Sequence, residues 1–169
     1  MGRVSTKENK TAFQQSREAL GLSREKASEL LGWISAERIE KIENEKSQPH
    51  PDEVLAMASA YRNPALCNRY CARLCPIGRE TVPELPEKHL SQIILEMLAS
   101  LNGAQKRQER LIEITADGQI SGEEVADFVR IQEELERISA TVESLRLWSA
   151  KMLADGRIDL AAYEKEKNR

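Results

Sequence analysis

The fold of this 169-residue chain is decided by residues 13–61, which read FQQSREALGLSREKASELLGWISAERIEKIENEKSQPHPDEVLAMASAY. Several short helical stretches follow one another here, and residues typical of helix ends separate them. Gly21 and Gly32 stand where glycines end helices, and Ser23 and Ser35 stand where the next helices need N-caps. These glycines and serine caps therefore predict a series of short helices.

Apolar residues recur at helical spacing through these stretches. The first stretch carries apolar Phe13 and Leu20 with Ala12 and Ala19. In the next three stretches, the residues expected to face inward are Ala27, Leu30, Leu31, Ile39, Ile42, Val54, Leu55, Met57 and Ala58. Pro51 suits the first turn of a fourth helix. A fifth helix is predicted to begin at Asn63 and Pro64 and to stop at Pro76.

Residues 76–86 hold three prolines and one glycine in 11 positions. No helix crosses that spacing, because proline lacks the N–H that a helix interior needs. This segment is therefore predicted to be a linker.

Two long helices are predicted beyond the linker. The first begins at Leu90 and has about 28 residues, ending at Asp117 and Gly118. The second begins at Ser121, which forms a capping box with Glu124. Its expected coiled-coil seam is Phe128, Ile131, Leu135, Ile138, Val142, Leu145 and Met152. Joined by a short turn, the two helices, here called the hairpin, would expose a long apolar stripe, so a second copy is the expected partner.

The sequence thus predicts an all-α protein in three parts. Residues 1–75 form a five-helix head, residues 76–86 a proline-rich linker, and residues 87–169 a long antiparallel hairpin that dimerises.

The first four helices resemble the lambda-repressor-like, or XRE-type, helix-turn-helix family. The matching residues are Arg17, Leu22, Ser23, Ala27, Gly32, Ile39, Ile42, Glu43 and Pro49. In this family the arginine at the position of Arg17 pairs with the glutamate at that of Glu43. The resemblance therefore implies an ion pair that ties the first helix to the third.

The resemblance also implies a DNA-binding transcriptional regulator of bacterial type that meets double-stranded DNA as a homodimer. The third helix would lie in the major groove, and the N-terminus of the second would touch a phosphate. Arg24 suits the phosphate. The residues expected to face the bases are Ser35, Ala36, Glu37, Arg38 and Lys41.

Three features of this sequence depart from the family pattern. One extra residue separates Gly32 from Ile39, and Glu45 stands where glycine usually follows the third helix. Residues 35–45 also carry four acids against two bases, a net charge of −2 on the element meant to approach phosphates. An alternative is therefore a protein–protein interaction module whose degenerate helix-turn-helix no longer binds DNA.

Composition excludes some other classes. With 25 Lys and Arg against 28 Asp and Glu, the net charge of −3 excludes a polycationic coat protein. The first ten residues are polar, and no apolar run approaches the roughly 18 residues of a membrane span. We therefore expect a cytoplasmic protein with no membrane partner.

Cys67, Cys71 and Cys75 suggest a metal site. On a continuous helix, however, the outer two lie about 12 Å apart, too far to share one ion. Thiols that pack the fifth helix are the preferred interpretation. A broken helix that adds His50 or His89 as a further ligand, or a redox-sensing role, remains open.

Neither calcium binding nor catalysis finds support in the sequence. The repeated stretches 116–121 and 154–159 carry a central glycine, but the first and third EF-hand positions are then Glu113 and Thr115 in one stretch and Lys151 and Leu153 in the other. Tight helical corners explain both. No nucleophile or acid–base constellation is present, so we predict no enzyme, no cofactor and no metal site.

Overall fold

The computed structural model describes residues 9–169, so the polar stretch at residues 1–8 lies outside it. Within the described range the chain has helices and no strand, which confirms the predicted all-α class. The helices are α1 (Ala12–Ala19), α2 (Arg24–Leu31), α3 (Ala36–Glu43), α4 (Pro51–Ala60), α5 (Ala65–Arg73), α6 (Pro76–Thr81), α7 (Leu90–Ile114), α8 (Val125–Ala154) and α9 (Leu160–Lys167).

The chain divides into two compact units. One unit runs to Glu84 and takes in Ser149–Arg169, and the other is Leu85–Trp148. In the first unit, Nζ of Lys151 donates a hydrogen bond to the carbonyl oxygen of Arg62 at 3.0 Å. Residues 149–169 thus group with the head helices, whereas the division expected from the sequence placed them with the hairpin.

The predicted serine caps of α2 and α3 are confirmed. The side chain of Ser23 accepts a hydrogen bond from the backbone N–H of Lys26, and that of Ser35 accepts one from the N–H of Arg38. Each serine satisfies a backbone donor that the first helical turn leaves unpaired. The start of α3, which positions the candidate interface, is therefore fixed by its own sequence.

The head helices close around one apolar core. Its buried members are Ala27, Leu31, Ile34, Ile39, Ile42, Met57, Ala58, Tyr61 and Leu66. The expectation that Leu30 and Leu55 face inward was wrong, since they are 57% and 63% exposed. Each lies about 100° around its helix from a buried neighbour, and these short helices bury only a narrow stripe.

Helix α3 ends at a left-handed residue that is not glycine. Glu45 has φ 56°, and the N–H of Lys46 donates to the carbonyl oxygen of Lys41 at 2.9 Å. This pattern is a Schellman motif, which glycine occupies with least strain. The position where the family usually has glycine thus keeps the glycine-like conformation with a glutamate in it.

Replacing Glu45 by glycine is therefore expected to stabilise the head. Left-handed backbone costs a side-chain-bearing residue about 1–2 kcal/mol. The greater freedom of glycine in the unfolded chain offsets about half of that. We expect Glu45→Gly to raise the free energy of unfolding by about 0.5–1 kcal/mol in urea titrations. Glu45→Ala removes the same charge but keeps the strain, so an equal gain in Glu45→Ala would contradict this explanation.

The segment predicted as a linker begins with a short helix. Pro76 occupies the first helical position of α6, where its missing N–H is harmless, and the helix ends at Thr81 before Pro83. Gly78 is required where α6 meets α5, because a Cβ there would lie 2.3 Å from the carbonyl oxygen of Cys71. Residues 82–89 then run without helix to α7.

Helices α7 and α8 run antiparallel. Nε of Arg110 in α7 bonds to Oδ2 of Asp127 in α8 at 2.8 Å, and Arg107 reaches the backbone of Arg130. The helix α8 begins at Val125 rather than at Ser121, because residues 122–124 form a turn. As expected, the side chain of Glu124 accepts a hydrogen bond from the backbone N–H of Ser121 at 3.0 Å.

The seam between α7 and α8 differs from the predicted one. Ile131 is buried as expected, but Leu135 is 51% exposed, and Phe128 and Val142 are exposed as well. The buried residues of α8 are Ile131, Glu134, Thr141 and Ser144. Helix α8 is therefore rotated so that one of its two apolar stripes faces α7 and the other stays open.

A glycine explains how a glutamate enters this seam. A Cβ on Gly103 of α7 would lie 2.8 Å from the carboxylate of Glu134, so the missing side chain makes room for it. Arg137 bonds the same carboxylate at 2.6 Å, and Arg107 lies at 3.5 Å. The buried charge is thereby paired, as burial of a charge requires.

Candidate nucleic-acid interface

Helix α3 has two opposite faces. Ile39, Ile42 and Glu43 are buried against the head. At 100° per residue, Glu37, Lys41 and Asn44 lie on the other side of the helix. The side chains of Glu37 and Lys41 are 76% and 50% exposed. One face therefore holds the helix in the fold and the other is free to meet a partner.

Glu43 is the centre of the inner face. Its buried carboxylate accepts from Nε of Arg17 at 2.5 Å and from a terminal nitrogen of Arg17 at 2.9 Å. This confirms the predicted pair between the first and third helices. Burial lowers the pKa of Arg17, but the hydrogen bonds and charge of Glu43 outweigh it, so the pKa is raised. Burial and the charge of Glu43 also raise the pKa of Tyr61 to about 12, which keeps its hydroxyl protonated.

Arg24, the predicted phosphate contact, is the first residue of α2. Its Nε donates to Oε2 of Glu43 at 2.8 Å, and its side chain is 30% exposed. Glu43 thus holds Arg24 at the N-terminus of α2. Within residues 9–169, the guanidinium of Arg24 uses only Nε in this way, so its two terminal nitrogens are available to an anion.

Arg38, a predicted base-facing residue, turns toward α4 instead. It forms a bidentate pair with Glu53, with both bonds at 2.6 Å. It also donates to the hydroxyl of Ser47 and to the carbonyl oxygen of Gln48. The hydrogen bonds from Arg38 lower the pKa of Glu53, and those to Glu53 raise the pKa of Arg38. Arg38 therefore joins α3, the following loop and α4.

The other predicted residues lie at the start or on the outer side of α3. Ser35 is the exposed N-cap, and Ala36 is the half-buried first residue. Glu37 and Lys41, one turn apart, form an ion pair at 2.8 Å. The structure thus places Ser35 and Ala36 at the N-terminus of α3 and Glu37 and Lys41 on its outer side. Arg38 points away from these four residues.

Carboxylates neutralise the cations around this surface. The pairs are Arg24 with Glu43, Arg38 with Glu53, Lys41 with Glu37, and Lys46 with Glu40. The first two carboxylates are almost fully buried and the last two are exposed. Nonspecific affinity for phosphates at this surface is consequently modest, because free cations supply most of it.

The sequence did not reveal the partners of Arg38. Glu53 also accepts from the backbone N–H of His50 at 2.7 Å. An acid three residues after a helix N-cap is a local signal that predicts this second contact. The bond to Arg38 joins residues 15 positions apart, so local spacing does not reveal it.

A protein-family model described as helix-turn-helix matches residues 13–65. Those residues span α1–α4 and the start of α5, with α3 and its two faces in the middle. Residues 13–65 are a lambda-repressor-like helix-turn-helix domain. Domains of this family belong to DNA-binding regulators. Comparison with curated proteins gave no match, and comparison with solved structures gave none either.

The three cysteines lie in α5 and at the N-cap of α6, and Cys67 packs against the apolar core. Cys67, Cys71 and Cys75 are all free and half-buried, and Sγ of Cys75 accepts from the N–H of Gly78 at the start of α6. Burial and the neighbouring Cys71 raise the pKa of Cys67, which disfavours its thiolate. Across residues 9–169, no three His, Cys, Asp or Glu side chains are placed to hold one metal ion. No helix in that range is long and apolar enough to span a membrane.

Proposed function

We propose that this protein is a transcriptional regulator that inserts α3 into the major groove and binds DNA as a homodimer joined through the hairpin. The observation that carries the proposal is the division of α3 into a buried face and an outer face within the helix-turn-helix domain. An α-helix fits the major groove, and only an outer face that packs against nothing else is free to reach base edges.

Arg24 supports this docking. In such an arrangement the N-terminus of α2 meets a phosphate, where the helix dipole favours an anion. Arg24 is anchored there through Nε by Glu43, which leaves its terminal nitrogens for the phosphate. The bond to Glu43 therefore orients the arginine before DNA arrives, which reduces the entropy lost on binding.

The open side of the hairpin supports the dimer. Three exposed apolar residues of α8 recur every seven positions: Phe128, Leu135 and Val142. Exposed Ile94, Leu98 and Leu101 of α7 each directly follow a buried or half-buried residue, as do the three of α8. In antiparallel helices such positions fall on the same side of the pair. A seven-residue apolar repeat packs best against another helical pair, and a second copy offers an identical repeat.

Binding-site selection from random duplex DNA tests the proposed function. At about 50 mM salt, full-length protein is expected to enrich two half-sites whose centres lie 10–10.5 base pairs apart, or a multiple of that. Affinity for the enriched duplex should then fall steeply between about 50 and 200 mM salt, since counterions are released on binding. Failure of folded protein to enrich any duplex at low salt would contradict DNA binding.

One observation favours a second function. Because the cations around α3 are paired with carboxylates, the outer face has little free positive charge. Such a face suits a basic protein partner better than it suits phosphates. If selection enriches nothing, this protein-interaction module becomes the better account of the domain.

A further inference from the structure

The outer face of α3 presents one acceptor and one donor side by side. Oε1 of Glu37 lies 2.8 Å from Nζ of Lys41, and both side chains are at least half exposed. The hydrogen bond and charge of Lys41 lower the pKa of Glu37, so the carboxylate is ionised at neutral pH and only accepts hydrogen bonds. The ammonium only donates.

Other polar groups near this face are already engaged. Arg38 is the residue type that most often recognises guanine, but Glu53, Ser47 and Gln48 hold its guanidinium. The hydroxyl of Ser35 accepts from the N–H of Arg38 as the helix cap. Glu40, at the edge of this face, lies 3.8 Å from Lys46 and accepts a hydrogen bond from Asn44. Within residues 9–169, Glu37 and Lys41 are therefore the charged side chains of the first two turns that face outward and pair only with each other.

The major-groove edge of a C·G base pair has the matching pattern. Cytosine offers the N4 amino donor, and guanine offers the O6 and N7 acceptors. N4 and O6 are joined by the base-pair hydrogen bond, so they lie about 2.9 Å apart. The spacing between the acceptor of Glu37 and the donor of Lys41 is nearly the same.

We propose that Glu37 and Lys41 together recognise one C·G pair in each half-site, with Glu37 accepting from cytosine N4 and Lys41 donating to guanine O6 and N7. This inference rests on the proposed function, since it requires α3 to lie in the major groove. Glu37 adds negative charge to α3, which by itself disfavours DNA binding. In this proposal the same residue determines specificity.

The other base pairs fit this charge pair less well. The reversed pair places guanine O6 against the carboxylate, and T·A places thymine O4 there, so like charges meet. An A·T pair offers adenine N6 to the carboxylate, but adenine N7 lies beside it as a second acceptor, and the ammonium then meets a thymine methyl. Only C·G leaves the carboxylate without a facing acceptor and gives the ammonium two.

The test compares full-length wild type, Glu37→Gln and the matched control Glu45→Gln. Both variants lose one exposed negative charge near α3, so both gain similar nonspecific affinity. Each protein undergoes selection on random duplex DNA. Dissociation constants are then measured on the wild-type site and on the same duplex with the C·G pair changed to A·T, T·A or G·C.

Wild type and Glu45→Gln are expected to bind the changed duplexes about tenfold more weakly, within the range for one well-made base contact. In Glu37→Gln that loss should shrink to about twofold, and adenine should replace cytosine in selection, because an amide pairs with adenine N6 and N7. If wild type enriches a site but Glu37→Gln selects the same bases, this inference is overturned while the proposed function stands. If wild type enriches nothing, both fail together.

Discussion

Glu43→Ala is expected to destabilise the helix-turn-helix domain by about 3–5 kcal/mol, enough to unfold it in much of the population. The substitution leaves Arg17, which is almost fully buried, without the carboxylate that accepts two of its hydrogen bonds. Arg17 would keep only the carbonyl oxygen of Leu22 and the carboxylate of Glu18, whose Oε1 lies 3.7 Å away, so most of the cost of its lost hydration would go uncompensated. Urea unfolding of the full chain, followed by circular dichroism, measures the effect.

Two further variants separate this explanation from a general sensitivity of α3. Glu45→Ala removes an exposed acid two residues away and should change the free energy of unfolding by less than about 0.5 kcal/mol. Arg17→Met combined with Glu43→Leu replaces both charges by apolar side chains and should recover most of the lost stability. A Glu43→Ala protein within about 1 kcal/mol of wild type would show that the ion pair does not stabilise the domain.

Leu101→Glu combined with Leu135→Glu is expected to abolish the proposed dimer and to weaken binding to the selected duplex by roughly 10²–10⁴-fold. Both leucines are about half exposed on the open apolar side, so the glutamates disturb that side and leave the seam intact. Two linked heads bind two half-sites at a high effective concentration, and this advantage is lost in a monomer. Sedimentation velocity and duplex titration measure the two effects.

Ala99 supplies a matched control for this experiment. It is exposed and flanks the buried Ser100 on the side opposite to Leu101. Its neighbours one turn away are Glu96, Asn102, Gly103 and the exposed Leu95. Ala99→Glu should therefore remain dimeric and bind DNA as wild type does. Wild-type protein that sediments as a monomer at tens of micromolar would refute the dimer itself.

Local sequence signals predicted the starts of α2 and α3 correctly. Ser23 and Ser35 act within three residues of themselves, so their spacing alone predicts both caps. The left-handed conformation of Glu45 was not predicted, because glutamate gives no local signal for it. The resemblance to a known family supplied the pair between Arg17 and Glu43, which are 26 positions apart.

The spacing of residues in the sequence did not predict the contacts between helices. Arg38 has the chemistry of a base-recognising residue, and only the fold brings Glu53 within its reach. Apolar spacing likewise marked Leu135 as a seam residue. The neighbouring Glu134 enters the seam because Gly103 of the facing helix has no side chain. The apolar repeat of one helix does not reveal where the facing helix lacks a side chain.

The two faces of α3 also bear on how this domain can change. Stability depends on Ile39, Ile42 and Glu43. At the outward positions, Glu37 and Lys41 are exposed, and the side chain of half-buried Asn44 donates to Glu40 of the same helix. Substitutions at those outward positions should therefore be nearly independent of folding, since they share no partners with the core. A library randomised at these three positions is a practical route to variants with new binding specificities on an unchanged scaffold, and natural drift has the same freedom there.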